Sequence, residues 1–185
     1  MSKVAIIPHY DDEAIFLWSV LPRLDYIGVV SECDYIRRTN FKSLLKKVGC
    51  TAEVTHFRLL EPLYDDFNDQ PKIIEHESLD KSIFNFLGHI GESCDTLYAP
   101  DTPPWSDTNH ALHIQLLEYL ENIFGPGKHR GVDLGRDSGR KVWTILSEYP
   151  AEAAGFILHS DSDVSKILRE GFDYYREWDI RGGLE

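Results

Sequence analysis

Long apolar runs are missing from this chain. No stretch is long enough to span a bilayer, so no membrane association is expected. Surplus positive charge is missing too. Against 31 acidic residues stand 19 Lys and Arg, a formal net charge of −12, which argues against non-specific nucleic-acid binding and against an anionic membrane surface. Cysteine is scarce: Cys33, Cys50 and Cys94 are odd in number and form no Cys-x-x-Cys pair, so free thiols in a reducing cytoplasm are the simplest account. The start, Met1-Ser2-Lys3, runs directly into an apolar segment with no apparent signal peptide. Repeats and low-complexity tracts are absent, and no Gly-x-Gly-x-x-Gly follows the first apolar run, where a dinucleotide-binding domain would carry it.

What is present is a globular composition, 42% hydrophobic and 27% charged over 185 residues, expected to fold as a single domain spanning 1–185. Short apolar runs predict strands at 3–8, 26–31, 53–60, 95–100 and 141–147. Helical spacing predicts helices over 13–21, 37–48 (closed by Gly49), 79–90, 109–124 (capped by Thr108 or Asn109) and 164–175. Residues 61–71 and 101–108 read as loops. Strand and helix alternate, so the expected fold class is α/β, a Rossmann-like three-layer sandwich with a mainly parallel sheet and helices on both faces.

The most informative stretch begins at the end of the first strand, where His9, Asp11, Asp12 and Glu13 follow in quick succession. The carboxyl ends of strands are where open α/β sheets bind ligands, and an imidazole among carboxylates suits a first-row transition metal better than a phosphate. Acidic residues alone would read as an ordinary helix start, but that reading does not need His9. The helix after the fourth strand opens with His110-Ala-Leu-His113, two histidines on one helix face at the same rim of the sheet. A second feature is the Gly-rich basic segment 125–141, with Lys128, Arg130, Arg136, Arg140 and Lys141 beside His129. It reads either as a mobile surface loop or as a lid for an anionic substrate group. His159, Asp161 and Asp163 read as a helix approach with capping residues.

His9-Tyr-Asp-Asp-Glu13 resembles the His-Pro-Asp-Asp-Glu signature of the LmbE/PIG-L zinc-dependent N-acetylglucosaminyl deacetylases, and His110-Ala-Leu-His113 resembles that family's later His-x-Asp-His. Arg37-x-x-Asn40-x-x-x-Leu44 followed by Val48-Gly49 is similar to its intervening helix motif, and the resemblance covers roughly residues 3–115. It implies His9, Asp12 and His113 as ligands of Zn2+, or of Fe2+ in the same donor set, with an open position for water. It implies Asp11 as general base, His110 as the group that stabilises the reacting carbonyl, Arg37 as a substrate contact and Glu13 as a supporting residue. The chain departs from the family at Tyr10, Asn40 and Leu112. Leu112 replaces the aspartate between the late histidines, so Asp101 or Asp107 is expected to support His110 instead.

The function so implied is removal of an acetyl or similar acyl group from an N-acyl amino-sugar-like small molecule, in a bacterial cytoplasm or by a virus in a bacterial host, with a homo-oligomer allowed. Two alternatives stand beside it. One is the same metal chemistry on an acylated nucleotide or modified nucleoside, with Lys128 and Arg130 holding a phosphorylated substrate. The other is a non-catalytic binding member of the fold.

Overall fold

The computed structural model describes residues 2–10, 16–31, 35–59, 74–91, 94–101, 111–135, 137 and 171–181, and for 35–37, 111 and 172 it describes the backbone alone. Six strands form one sheet: β1 (Ser2–Ile7), β2 (Tyr26–Ser31), β3 (Glu53–Leu59), β4 (Cys94–Pro100), β5 (Lys128–Asp133) and β6 (Phe172–Asp179). Three α-helices are described, α1 (Tyr35–Lys47), α2 (His76–Ile90) and α3 (Ala111–Phe124), with a 3-10 turn at Leu21–Arg23.

The strand order is β3-β2-β1-β4-β6-β5. β1, β2, β3 and β4 pair in parallel; β6 runs antiparallel to both β4 and β5. The chain therefore leaves β1 in one direction, through β2 and β3, and returns to β1's other side with β4. Order reverses between β1 and β4, and such reversals open a crevice at the strand carboxyl ends.

β1 is buried from Val4 to Ile7 because both of its faces are covered, which is why it reads as an unbroken apolar run. Alternation divides it. Ala5 and Ile7 join Ile27, Val29, Phe16, Leu17, Leu21, Phe41 and Leu44 in one core, on the side of α1 and the segment around the 3-10 turn. Val4 and Ile6 join Leu97, Leu79, Ile83, Phe86, Leu112, Leu116 and Leu120 in the other, on the side of α2 and α3. Within this second layer the Gln115 amide closes two hydrogen bonds with the Ile74 backbone, Ile74 N–H donating at 3.0 Å and Gln115 Nε2 at 2.6 Å, which ties the approach to α2 onto α3.

α1 ends as its sequence suggests. Gly49 takes φ 71°, its N–H reaches the Lys46 carbonyl, and the Cys50 N–H reaches that of Leu45, a Schellman closure with Cys50 and Leu45 packed in the same core. The ends of β2 match expectation, and β1, β3, β4 and α3 lie within two or three residues of it.

Three expectations are corrected. The helix expected over 13–21 is helical at Phe16 and then gives way to a turn and the 3-10 turn, with Pro22 in that turn's opening position. The loop expected over 125–141 contains β5. Gly127 serves close packing, since a Cβ there would stand 2.5 Å from Arg176 Cγ and Trp178 Cε2, whereas Gly125 and Gly135 take φ 75° and 72°. Among the described residues β5 pairs with β6 alone, and charges on such an edge discourage pairing with another chain. The helix expected over 164–175 is strand β6 from Phe172 onward, because Tyr175 and Trp178 are needed against the sheet's core. The loops at 61–71 and 102–108, the strand at 141–147, the caps Thr108 and Asn109, and His159, Asp161 and Asp163 lie outside the described residues. Among the described residues no helix is long and apolar enough to cross a membrane.

Candidate functional site

His9 and His113 come together. His9 follows β1 directly and is half-buried; His113 lies in the first turn of α3, 6% exposed. Their ring centroids are 5.5 Å apart with planes inclined by 29°. Residues 104 positions apart in sequence meet because β1 and β4 are neighbours and α3 follows β4's carboxyl end. Phe16 presents its ring to His113 at 5.8 Å in an edge-on arrangement that restricts imidazole rotation.

The spacing fits a shared metal. An imidazole nitrogen binds zinc at about 2 Å, and two such rings at a tetrahedral angle have centroids on the order of 5 Å apart. Among the described residues no group of three His, Cys, Asp or Glu side chains converges in a metal-binding arrangement. The remaining candidates Asp11, Asp12, Glu13, His110 and Asp107 lie outside the described residues, and of Arg37 only the backbone in α1 is described.

Asp101 stands where β4 ends, 4% exposed, and its carboxylate is occupied from two sides. His129 Nδ1 lies 2.6 Å from Oδ2, and the Arg176 guanidinium donates to Oδ2 at 3.4 Å and to Oδ1 at 3.2 Å. Arg176 also bonds Glu121, so a buried carboxylate is matched by a buried guanidinium that bridges it to a second carboxylate. His110 lies outside the described residues, so Asp101's expected support of it stays an expectation.

Lys128 and Arg130 are corrected in setting. Both lie on β5, three strand spacings from β1, about 14 Å. The Arg130 guanidinium donates to Glu177 Oε1 at 3.0 Å, so the lid reading of this segment gives way to a strand whose arginine is already paired. Leu112, at the family's aspartate position, is 2% exposed inside the apolar core with Leu116 and Leu97. That site is lined for a hydrocarbon, not a carboxylate.

Tyr10 is 3% exposed, packed edge-on against Phe41 with ring centroids 5.1 Å apart. Its hydroxyl lies 2.6 Å from His56 Nδ1. Burial, and the nearby cations Arg38, Lys42 and Arg58, hold His56 down at about 4, which favours the neutral ring. Sequence reading missed Asp173 on β6, which is fully buried. Its Oδ2 accepts the Ser19 N–H at 2.5 Å while Oδ1 has no partner, and burial pushes its carboxyl up to about 7. Nothing in the local sequence Phe172-Asp173-Tyr174 distinguishes that aspartate from a solvated one.

A groove of about 230 Å³ between β3 and α2, lined by Thr55, Phe57, Ser82, Asn85, Phe86 and His89, lies on the sheet face opposite α1 and holds none of the motif residues. No family model, no curated protein and no solved structure matches the chain.

Proposed function

We propose that this chain is a metal-dependent amide hydrolase of the LmbE/PIG-L kind, removing an acetyl or similar acyl group from an N-acyl amino-sugar-like small molecule. The observation that carries the reading is the meeting of His9 and His113 beside the reversal of strand order. The two were singled out by motif alone, and their ring spacing suits joint ligation. On this reading the fold is a Rossmann-like three-layer sandwich with its metal at the strand carboxyl ends. The two separate cores on opposite sides of β1 support that architecture. Cys50 and Cys94, both free and buried, suit a reducing compartment.

His9, Asp12 and His113 would hold the ion, zinc by preference and ferrous iron in the same donor set. Bound there, it supplies Lewis acidity and an activated water. The chain's own residues do the rest. The Asp11 carboxylate takes the proton from the attacking water. The His110 ring donates to the carbonyl oxygen as negative charge builds on it, an interaction worth most in a water-poor site. Phe16 keeps the His113 ring from turning away.

Elemental analysis of protein purified without chelator is expected to find near one equivalent of metal per chain, lost in His113→Ala. Asp11→Asn is expected to keep the metal and lose about 10²- to 10⁴-fold in amine release from N-acetylated sugars. Full metal retention in both His9→Ala and His113→Ala would sink the reading.

A further inference from the structure

Among the described residues, the rim that carries His9 also carries a group of cations which the deacetylation chemistry does not use. Ile7, Val29 and His56 lie abreast on β1, β2 and β3. Two residues further along β3, Arg58 therefore stands near the level of His9, two strand spacings away, about 10 Å. His56 and Arg58 share the strand face of Val54, which packs against the core beneath α1. On that helix Arg38 and Lys42 are one turn apart, on either side of Phe41, whose ring meets Tyr10. The sequence separation between 38 and 58 disappears because β2 and β3 are neighbours and α1 covers them.

Three observations show that the cluster is more than a solvated surface. The Nε of Arg38 is buried and has no hydrogen-bond partner. Among the described residues, no carboxylate forms an ion pair with Arg38, Lys42 or Arg58, in a chain whose net charge is −12. Arg58 also holds φ 57°, a conformation that non-glycine residues avoid. It lies where the register of β3 against β2 slips between Val29 and Ser31, so that Phe57 and Arg58 together oppose Val30, a bulge. A strained arginine at a strand's carboxyl end costs about 1–3 kcal/mol that glycine would not, and such strain collects at binding sites. His56 lies beside these cations, its Nδ1 2.6 Å from the Tyr10 hydroxyl.

We propose that Arg38, Lys42, His56 and Arg58 form a subsite for a phosphate group of the substrate, whose N-acyl end reaches His9 and His113. The second half rests on the hydrolase reading; the anion site stands without it. The substrate class is then a phosphorylated N-acyl sugar or a nucleotide-linked one. The phosphate is gripped from the β3 side of the rim, and about one sugar ring separates it from the amide. The cluster takes over the anion-binding role that the basic segment on β5 suggested from sequence.

The test begins with calorimetric titration of the full chain with inorganic phosphate at low salt. Wild type is expected to bind one equivalent. Arg58→Gly, which keeps the backbone geometry and removes the guanidinium, combined with Lys42→Gln is expected to weaken binding at least about tenfold, since each charge-assisted contact is worth more than that factor. Arg38→Gln is expected to do the same. Should it fail to fold, the exposed pair of variants still carries the test. Lys46→Gln, on the same helix but outside the cluster, is expected to leave binding unchanged. No phosphate binding by wild type, equal binding by the double variant, or an equal loss in Lys46→Gln would overturn the subsite.

Amine release from N-acetylglucosamine 6-phosphate and from N-acetylglucosamine then separates the two proposals. The double variant is expected to raise KM about tenfold or more for the phosphorylated sugar, with kcat and the neutral sugar little changed. Phosphate binding that depends on the cluster, in a protein that takes up no metal and hydrolyses neither sugar, would defeat the hydrolase reading and leave the subsite. Metal uptake and hydrolysis of both sugars with equal KM in wild type and double variant would defeat the subsite and leave the hydrolase.

Discussion

Replacing Asp173 by Asn is expected to stabilise the protein at pH 8 and not at pH 4. The carboxyl is fully buried on β6, with Oδ2 held by the Ser19 N–H and Oδ1 without a partner. Burial raises it from an ordinary carboxylate value to about 7. The folded state therefore holds this proton more tightly than the unfolded chain. Stability from the group is fully present below the unfolded value near 4 and is lost as pH rises through the folded value near 7. Some three pKa units correspond to about 4 kcal/mol against the folded state once the group is ionised. Asparagine removes that cost and keeps an oxygen for the Ser19 N–H, but it places an NH2 without a partner where Oδ1 was, at about 1–3 kcal/mol. The net gain at pH 8 is about 1–3 kcal/mol, a rise in Tm on the order of 5 °C for a chain of this length. At pH 4, where the wild-type carboxyl is already protonated in the folded state, the variant is expected to melt at the same temperature or lower. Thermal melts of both proteins followed by circular dichroism at the two pH values decide it. An Asp173→Asn difference of the same sign and size at both would refute the burial argument.

Three further outcomes follow from the same geometry. His56 is held near 4, below its unfolded value near 6.5, so it contributes stability that is present above pH 6.5 and lost as pH falls towards 4; the urea midpoint of His56→Gln is expected to fall less than that of wild type between pH 7.5 and 4.5. Leu112→Asp, which introduces the residue of the LmbE/PIG-L motif that the sequence resembles, is expected to abolish soluble folded protein, since it buries an unpaired carboxylate in an apolar core, while Leu112→Met folds normally. Gly127→Ala is expected to cost about 1–3 kcal/mol in urea denaturation, because its Cβ meets Arg176 and Trp178 at 2.5 Å.

The first half of the fold was legible because its signals are local. The apolar run of β1 reflects burial on both faces, and the stop after α1 reflects a glycine that must adopt φ 71°. The second half misled for an equally physical reason. Gly127 looks like loop punctuation, yet it makes room for Arg176 and Trp178 of β6, a strand some 45 residues further along the chain. No window of sequence contains both partners. The helix expected over 164–175 ran into the first four residues of the Phe172–Asp179 strand because their apolar residues suit either period over a short stretch, and only pairing with β4 and β5 decides between them.

The candidate site divides along the same line. His9 and His113 were legible because each sits at a strand end or helix start whose position in an alternating fold is fixed, so two local motifs suffice to bring them to one rim. The cations Arg38, Lys42 and Arg58 were not, since each alone reads as an ordinary charged residue on a helix or strand face. Their meaning depends on three things the local sequence does not display: that β3 lies beside β2, that α1 covers both, and that a bulge holds Arg58 at φ 57°. The basic segment on β5 illustrates the converse. It concentrates charge in sequence, but among its described residues Arg130 is committed to Glu177 and His129 to Asp101. Charge density along the chain is thus a poor guide to charge density on the rim. A segment rich in Lys and Arg can be neutralised by the strand beside it, and three solitary cations can converge because no carboxylate among the described residues pairs with them. For a chain of net charge −12, the proposed subsite would hold an anion against the field of the molecule as a whole, and on the hydrolase reading it would tie recognition of a phosphate to the rim of the histidine pair.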